Sequence, residues 1–247
     1  MKIYNAGSIA MNTYVYRAPG GYVMIDTGYA HRLKAVEKKL RRQGIALSEI
    51  RYVFLTHAHD DHAGFLNELL SKYPAIEVIV SEKALPVLRK GQNSFTGGCS
   101  GLTALAFCRL MALAGKGAHR FPAIEERHLD RFIPISPETQ PRLETALQGK
   151  ILFTPGHTSD SISLVIGDII FCGDAAMNGI PSLNRITIWI EDKSSFYHSW
   201  DILMAENASL LYPAHGKPFD SNDLKRYQNR ISAVRLYPLA DRSYRMK

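Results

Sequence analysis

Disulfide-forming residues and long apolar runs are both scarce in this chain of 247 residues. Its three cysteines are too few for a disulfide-stabilised scaffold and cannot all pair with one another. The longest apolar stretch, residues 102–114, is too short to cross a bilayer and contains Arg109. The N-terminal sequence MKIYNAGSIA lacks the apolar region of a signal peptide. We therefore expect a cytoplasmic protein of a reducing compartment, without a membrane-spanning segment.

Low-complexity sequence is also absent, because the 18 glycines and 12 prolines together make up about one residue in eight. Hydrophobic residues at 46% and charged residues at 21% are close to globular averages, which excludes disordered and fibrous classes. The formal net charge of +7 permits an anionic partner without establishing one. With no linker between the two halves of the chain, we interpret residues 1–247 as a single domain.

Short strand-like runs alternate with amphipathic helical segments in both halves of the chain. Residues 51–56, with the sequence RYVFLT, form a largely apolar run typical of a buried strand. The second half predicts four strands, at residues 150–154, 161–166, 168–172 and 210–212. It also predicts two helices, at residues 194–205 and 222–234. This alternation predicts an α/β protein in which each half contributes several strands and their helices.

Residues 91–121 interrupt the alternation between the two halves. This segment contains six glycines around the apolar stretch at residues 102–114. Such a stretch must bury its apolar surface against the protein body, another subunit or a substrate. We interpret the segment as an insertion and leave three hypotheses open: a hinged lid, a buried core helix and a dimer contact. A lid would favour a substrate with an apolar portion.

Four potential metal ligands follow the strand at residues 51–56 in the sequence HAHDDH. In extended backbone, His57 and His59 project from the same side because they are two residues apart. Asp61 and His62 are predicted to begin the following helix, whose dipole favours an anionic residue there. Imidazole and carboxylate groups are typical ligands of Zn²⁺, so the cluster predicts a metal site.

Three further motifs place a ligand-type residue just after a predicted strand. They are His157 in PGHT, Asp174 in CGDA and His215 in PAHG. Together with the first cluster they make a set of five histidines and two aspartates at strand ends. We interpret the four remaining histidines as structural or surface residues: His31, His119, His128 and His198.

The series HAHDDH, PGHT, GDA and AHG, in this order, resembles the metallo-β-lactamase-fold hydrolases. The resemblance extends from about residue 3 to about residue 220, and it implies a four-layer αβ/βα sandwich with residues 91–121 as a helical insertion. Asp26, in the sequence IDTG, matches the turn that supports the site in this family. The resemblance implies one metal bound by His57, His59 and His157, a second bound by Asp61, His62 and His215, and Asp174 as the bridge between them.

The same resemblance implies a dinuclear metal-dependent hydrolase. Two divalent cations, with zinc expected and iron or manganese compatible, would activate a bridging hydroxide. Asp61 is implied as both a ligand and the catalytic residue that returns a proton to the leaving group. The expected substrate is a small ester, thioester or lactone, and neither a nucleic acid nor a membrane is an expected partner.

Two other functions remain open at this point. A phosphodiesterase or nuclease of the same fold would account for the net charge of +7. A non-catalytic binding protein with a structural metal centre is the other alternative. Within the hydrolases, lactonases of this family place a tyrosine soon after the bridging aspartate. No tyrosine follows Asp174 closely, which leaves Tyr197 or Tyr212 as candidates for that role.

Overall fold

The computed structural model describes residues 1–239. This part of the chain forms thirteen strands, which are, in chain order, β1 (Ile3–Asn5), β2 (Tyr14–Ala18), β3 (Gly21–Ile25), β4 (Ile50–Phe54), β5 (Glu77–Ser81), β6 (Gly98–Cys99), β7 (Phe132–Ile135), β8 (Lys150–Phe153), β9 (Ile162–Ile166), β10 (Ile169–Gly173), β11 (Trp189–Ile190), β12 (Leu210–Pro213) and β13 (Phe219–Asp220). Seven α-helices accompany them: α1 (Leu33–Arg42), α2 (Leu66–Lys72), α3 (Ala84–Lys90), α4 (Leu102–Met111), α5 (Gln140–Leu147), α6 (Lys193–Ala205) and α7 (Asn222–Ser232). Among the described residues, no helix has the length and apolar character needed to cross a membrane.

The strands form two large sheets and one short ribbon. The first sheet has the order β1-β2-β3-β4-β5-β7, antiparallel from β1 to β3 and parallel from β3 to β7. The second has the order β13-β12-β10-β9-β8, with only the β10–β12 pair parallel. The ribbon pairs β6 with β11 and sets Cys99 opposite Trp189.

Alternating side chains show how the sheets are layered. In β3, Val23 and Ile25 belong to the apolar cluster between the two sheets, whereas Met24 packs on the other face with Leu33 of α1. Phe171 of β10 joins the same inner cluster. The outer face of the second sheet packs against α6 and α7. The layers are therefore helix, sheet, sheet and helix, which confirms the αβ/βα sandwich.

Two elements that the sequence analysis did not predict close the space between the sheets. β7 extends the first sheet beside β5, and α5 buries Leu143 and Leu147 in the inner cluster. The Tyr16 hydroxyl donates a hydrogen bond to the Leu147 carbonyl at 2.9 Å. Fully burying a leucine contributes about 1.5–3 kcal/mol, so these contacts stabilise the sandwich at its edge.

The expectation that Asp61 and His62 begin a helix is wrong. Both residues lie in a turn, and α2 begins only at Leu66. The backbone there is held by the loop after β3, because the amide and hydroxyl of Thr27 donate to the His62 carbonyl at 2.8 and 2.6 Å. Those bonds occupy a carbonyl that a helix would need for its own ladder.

The apolar stretch of the segment at residues 91–121 forms α4. Leu105 is buried against the ribbon, whereas Leu102 and Leu110 are 66% and 64% exposed. Leu113, in the turn that follows α4, is 81% exposed. One face of the helix is thus covered by the protein and another is open to solvent.

Candidate metal centre

Seven ligand-type side chains meet at the ends of four strands. Four of them follow β4 and one each follows β8, β10 and β12: His57, His59, Asp61, His62, His157, Asp174 and His215. Close approach of the two sheets brings these loops together. Gly173 has a φ of 51°, and a Cβ there would lie 2.5 Å from the Thr56 hydroxyl, so this position requires glycine.

Three histidines form a triangle of ring nitrogens. The Nε2 atom of His157 lies 3.1 Å from Nε2 of His57 and 3.1 Å from Nδ1 of His59. The third side, between His57 and His59, measures 3.2 Å. Tetrahedral zinc with Zn–N bonds of about 2.0–2.1 Å separates its ligand nitrogens by about 3.3 Å, so the triangle has the size of a zinc site.

A second group of donors lies directly beside the triangle. Nε2 of His215 is 3.1 Å from a carboxylate oxygen of Asp61, and Nε2 of His62 is 3.7 Å from the other. Asp174 lies between the two groups. Its Oδ2 atom is 3.6 Å from His157 of the first group and 3.5 and 3.9 Å from the second-group histidines, His215 and His62.

Hydrogen bonds outside the centre fix the orientation of three imidazoles. In each, Nδ1 faces an acceptor and Nε2 faces the centre: His62 donates to Asp26 Oδ2 at 2.9 Å, His157 to the Trp189 carbonyl at 2.8 Å, and His215 to the Ala10 carbonyl at 2.6 Å. The proton on Nδ1 leaves the lone pair on Nε2 in the neutral ring. Such outer bonds set the tautomer and aim of metal-binding histidines.

Two buried polar atoms in the centre indicate that the residues fit a cation. Within the described part of the chain, Nε2 of His62 and Oδ1 of Asp174 are buried and have no hydrogen-bond partner. An unsatisfied buried polar group costs free energy, and each such atom calls for an explanation. Both atoms belong to residues of the centre, and both are metal-ligand types, so bound cations would satisfy them.

The charges of the centre divide the histidines into two kinds. Burial holds the pKa of His57 and of His59 well below the ordinary value, so both rings are neutral and able to bind a metal. Burial also opposes protonation of His62, but the carboxylates of Asp26 and Asp61 outweigh it and raise its pKa to about 9. Asp174 and Asp61 likewise outweigh burial at His215 and raise its pKa to about 10. These aspartates therefore favour positive charge at the part of the centre that contains His62 and His215.

Asp160 supports the first group and was not identified in the sequence. Its side chain is 4% exposed and accepts a hydrogen bond from the Ala58 amide at 2.8 Å, which fixes the backbone between His57 and His59. Burial raises the pKa of Asp160 above its ordinary value. The sequence feature that could have pointed to Asp160 is its position three residues after His157.

Asp60 links the centre to the segment at residues 91–121. Its amide donates to the Asn93 side chain at 2.9 Å, and the Asn93 amide group donates back at 2.8 Å. His119 lies 3.5 Å from the same carboxylate. Nothing in the spacing of these residues indicated the contact, because it joins two loops far apart in sequence.

Tyr29 is the tyrosine that the structure brings to the centre. It directly follows the IDTG turn, and its phenol lies near the carboxylate of Asp61. Burial and the charge of Asp61 raise its pKa, so the phenol stays protonated and can donate a hydrogen bond. Tyr212 instead packs against Tyr14 and Phe171 between the sheets, and Tyr197 packs on the outer face with α6.

Three of the remaining histidines lie away from the centre. His128 is buried and hydrogen-bonds the Ser71 hydroxyl at 3.1 Å. His31 is exposed, and the side chain of His198 is 75% exposed on α6.

An αβ/βα sandwich with a histidine and aspartate centre at the strand ends defines a class of metal-site proteins. Comparison with known proteins identifies the family. The model of the metallo-beta-lactamase superfamily matches residues 9–215, and the chain belongs to this superfamily. The chain is 23% identical over 214 residues to the beta-lactamase-like protein 2 homolog of Caenorhabditis elegans, covering 85% of this chain and 57% of that protein. It spans about half the length of the curated relatives it matches.

Solved structures share the same fold. A metallo-beta-lactamase family protein of Thermus thermophilus superposes with a TM-score of 0.66 at 19% identity, over 94% of this chain and 79% of that one. An archaeal superfamily protein of Sulfolobus tokodaii superposes with a TM-score of 0.61 at 18% identity, over 97% and 90% of the two chains. At this identity the likeness establishes the architecture alone.

Proposed function

We propose that this chain is a dinuclear metal-dependent hydrolase that cleaves a small ester, thioester or lactone. The observation that carries the proposal is the pair of adjacent donor groups with Asp174 between them. His57, His59 and His157 would hold one cation, Asp61, His62 and His215 a second, and Asp174 both. Zinc is the expected metal, and iron and manganese are compatible with the same donors.

The chain's own residues would orient the substrate and carry the proton. Bound divalent cations supply Lewis acidity and lower the pKa of water toward 7. Asp61 has 15% of its side chain exposed and can pass a proton from its carboxylate to the leaving group. Tyr29, whose protonated phenol lies near the same carboxylate, would help to orient it toward the centre.

Exposed apolar side chains beside His215 support a substrate with an apolar portion. Ile9 is fully exposed and precedes Ala10, whose carbonyl orients His215. On the other side, the Asn178 amide donates to the His215 carbonyl at 2.9 Å, and Ile180 two residues later is 95% exposed. An acyl chain or aromatic ring could bury both isoleucines at about 25 cal/mol per Å².

Elemental analysis tests the metal part of the proposal. We expect two metal ions per chain after reconstitution with zinc, and fewer in the variant Asp174→Ala, which loses the shared carboxylate. The variant His198→Ala is the matched control, because this histidine is exposed on α6. One ion or none in the reconstituted protein would contradict a dinuclear centre.

Turnover of a panel of esters, thioesters, lactones and phosphodiesters tests the reaction. We expect hydrolysis of at least one carbonyl substrate, lowered in Asp174→Ala by about 100-fold or more, since even residues that only orient metal ligands account for about 10- to 100-fold. Turnover confined to phosphodiesters would favour the nuclease alternative, which the net charge of +7 motivates. An affinity for nucleic acid that falls steeply between about 50 and 200 mM salt would favour it as well. No turnover by fully metallated protein would favour a non-catalytic binding protein.

A further inference from the structure

The loop that carries His215 is held by an asparagine on each of its two sides. From one side, the Asn12 side-chain amide donates to the Gly216 carbonyl at 2.7 Å. From the other side, the backbone amide of Asn178 donates to the His215 carbonyl at 2.9 Å, and its side-chain amide donates to the Lys217 carbonyl at 2.8 Å. The backbone on either side of His215 is therefore bonded to two segments that are distant in sequence.

The backbones of Gly216 and Asn178 are in direct contact. The two residues form an isolated parallel β-bridge, and Gly216 has a φ of 90°. A Cβ added to Gly216 would lie 2.2 Å from the carbonyl oxygen of Asn178, so no side chain fits between the two segments. A shift of Asn178 is therefore passed to the backbone next to His215.

Arg185 determines which way the Asn178 side chain faces. The guanidinium Nη1 of Arg185 donates to the side-chain oxygen of Asn178. Guanidinium groups are donors only, so the oxygen of the amide must face Arg185 and its NH2 group must face away. The NH2 group then lies against the Lys217 carbonyl, where it donates its hydrogen bond. Arg185 thus selects the orientation in which Asn178 binds the loop.

A carboxylate and an aromatic ring hold the guanidinium itself. Nε and Nη2 of Arg185 lie 2.9 and 2.8 Å from Oδ2 of Asp223, which belongs to α7. The central carbon of the guanidinium lies 4.8 Å from the centre of the ring of Phe219, a buried residue of β13. A planar fork with donors on two edges can bond Asp223 and Asn178 at the same time, whereas the point charge of a lysine has no such geometry.

We propose that Arg185 is a positioning residue that acts through Asn178 to hold His215 toward the second cation. This role rests on the dinuclear centre of the proposed function, because it concerns the donor group that contains His215. The contacts with α7 and β13 fix the guanidinium, the guanidinium fixes the Asn178 amide, and the amide fixes the loop. Residues that orient metal ligands usually account for about 10- to 100-fold in metal affinity.

The contacts predict that only one of the two metal sites depends on Arg185. Among the hydrogen bonds of the described residues, none joins Arg185 or Asn178 to His57, His59 or His157. Substitution of the Arg185 side chain also leaves its backbone carbonyl in place, which accepts a hydrogen bond from the Met177 amide at 2.9 Å. The first group should therefore keep its geometry.

Two-site zinc binding by the full chain, measured by equilibrium dialysis, tests this selectivity without substrate. We expect Arg185→Met to weaken the second site by about 10-fold or more and the first site by less than about twofold. Arg51→Met is the matched control, since Arg51 also pairs with a carboxylate, Glu77 at 2.6 Å, but lies at the end of β4 opposite the ligands. Unchanged affinities in Arg185→Met would overturn the proposal, and equal weakening of both sites would reduce Arg185 to a role in the fold.

A lysine variant separates positioning from a simple ion pair. Arg185→Lys retains the positive charge beside Asp223 but lacks the planar fork that also reaches Asn178. We expect its free energy of unfolding to stay close to that of the parent protein, while its second zinc site remains as weak as in Arg185→Met. Parent affinity in Arg185→Lys would show that the charge alone is needed and would overturn the role of the fork.

A double-mutant cycle tests whether Arg185 acts through Asn178. Asn178→Ala removes the side-chain amide and leaves the backbone bond to His215. We expect this variant to lose about 10-fold in affinity at the second site, and the double variant with Arg185→Met to lose no more, because both changes break the same path. Losses that multiply in the double variant would contradict this path. A parent protein that binds only one zinc ion would instead contradict the dinuclear centre, and the positioning role with it.

Discussion

Asp26 carries the charge that orients His62, although it is not among the proposed ligands. It is 1% exposed, and its carboxylate accepts hydrogen bonds from Nδ1 of His62 and from the amide of Thr56 at 2.7 Å. Its backbone φ of 56° is in the left-handed region, which asparagine also adopts readily. Asparagine can therefore replace this aspartate without backbone strain, and the change removes the charge and one of the two oxygens that accept these hydrogen bonds.

We expect Asp26→Asn to weaken binding of the second metal by about 10- to 100-fold, the usual cost of losing an orienting carboxylate. Binding at His57, His59 and His157 should change little, because none of these rings bonds to Asp26. Equilibrium dialysis against zinc, fitted to two sites, measures both constants. Equal weakening of both sites would mean that Asp26 supports the fold rather than His62.

Tyr29 offers a second test at the level of a single group. In Tyr29→Phe the ring remains and the hydroxyl near Asp61, which can donate a hydrogen bond to it, is lost. A hydrogen bond to a charged group contributes about 1.5–3 kcal/mol, so kcat/KM should fall by about 10-fold or more while the metal content stays the same. Tyr197→Phe is the control because Tyr197 lies on α6 and packs against the apolar cluster of the outer face, and an equal loss there would contradict the assignment.

The helix α4 combines a buried and an exposed apolar face, and these faces predict different effects of substitution. Leu105 is 9% exposed against the ribbon, so Leu105→Ala should destabilise the protein by about 2–5 kcal/mol. Leu110 and Leu113 are exposed, so Leu110→Ser and Leu113→Ser should leave the free energy of unfolding within about 0.5 kcal/mol. Urea unfolding measures both.

The exposed face also tests whether the segment is a lid. If it contacts an apolar substrate, Leu113→Ser should lower kcat/KM for long-chain esters more than for short ones, by about 10-fold, since a methylene contributes about 1–3 kcal/mol to discrimination. Unchanged selectivity with a loss of self-association in analytical ultracentrifugation would instead identify a contact between two copies of the chain.

The regular elements near the motifs could be predicted from the sequence because their local patterns are strong. The helix over residues 33–42 shows Leu33, Val36 and Leu40 on one face, and all three are buried. β7 and α5 were missed because β7 is short and contains Pro134, and α5 buries only Leu143 and Leu147. Both are fixed by contacts with distant strands rather than by local pattern.

The ligand-type residues of the candidate centre could also be predicted from the sequence. Histidine and aspartate residues after strands can be read from spacing, and the structure brings all seven together. The residues that orient them could not be found in this way. The bonds of His157 to the Trp189 carbonyl and of His215 to the Ala10 carbonyl involve backbone groups, which carry no side-chain signal, across 32 and 205 positions.

At the scale of the whole molecule, the centre joins the two sheets. The donors after β4 belong to the first sheet, and those after β8, β10 and β12 belong to the second. A cation that binds only when both sheets are in place stabilises the folded state by about 2.7 kcal/mol at 100 times its dissociation constant. For a chain of this size that corresponds to a rise in Tm of about 5–10 °C.

Because metal binding is coupled to folding, the pH dependence of stability should differ between metal-free and metal-bound protein. In metal-free protein, His62 and His215 have pKa values of about 9 and about 10, above the value of about 6.5 expected in the unfolded chain. Their protonation therefore stabilises the fold fully below about pH 6.5, and this contribution is lost as the pH rises through about 9–10. Bound cations displace these protons, so metal affinity should increase over the same range.

Urea unfolding at pH 6 and pH 9.5, with and without saturating zinc, measures this coupling. We expect the free energy of unfolding of chelator-treated protein to be lower at pH 9.5 than at pH 6, and the stabilisation by zinc to be larger at pH 9.5. His198→Ala should reproduce both results, because its side chain is exposed and away from the centre. Asp174→Ala should lose most of the zinc stabilisation at both pH values, because it removes the carboxylate between the two donor groups. If zinc stabilises Asp174→Ala as strongly as the parent protein, the metal binds somewhere other than this centre.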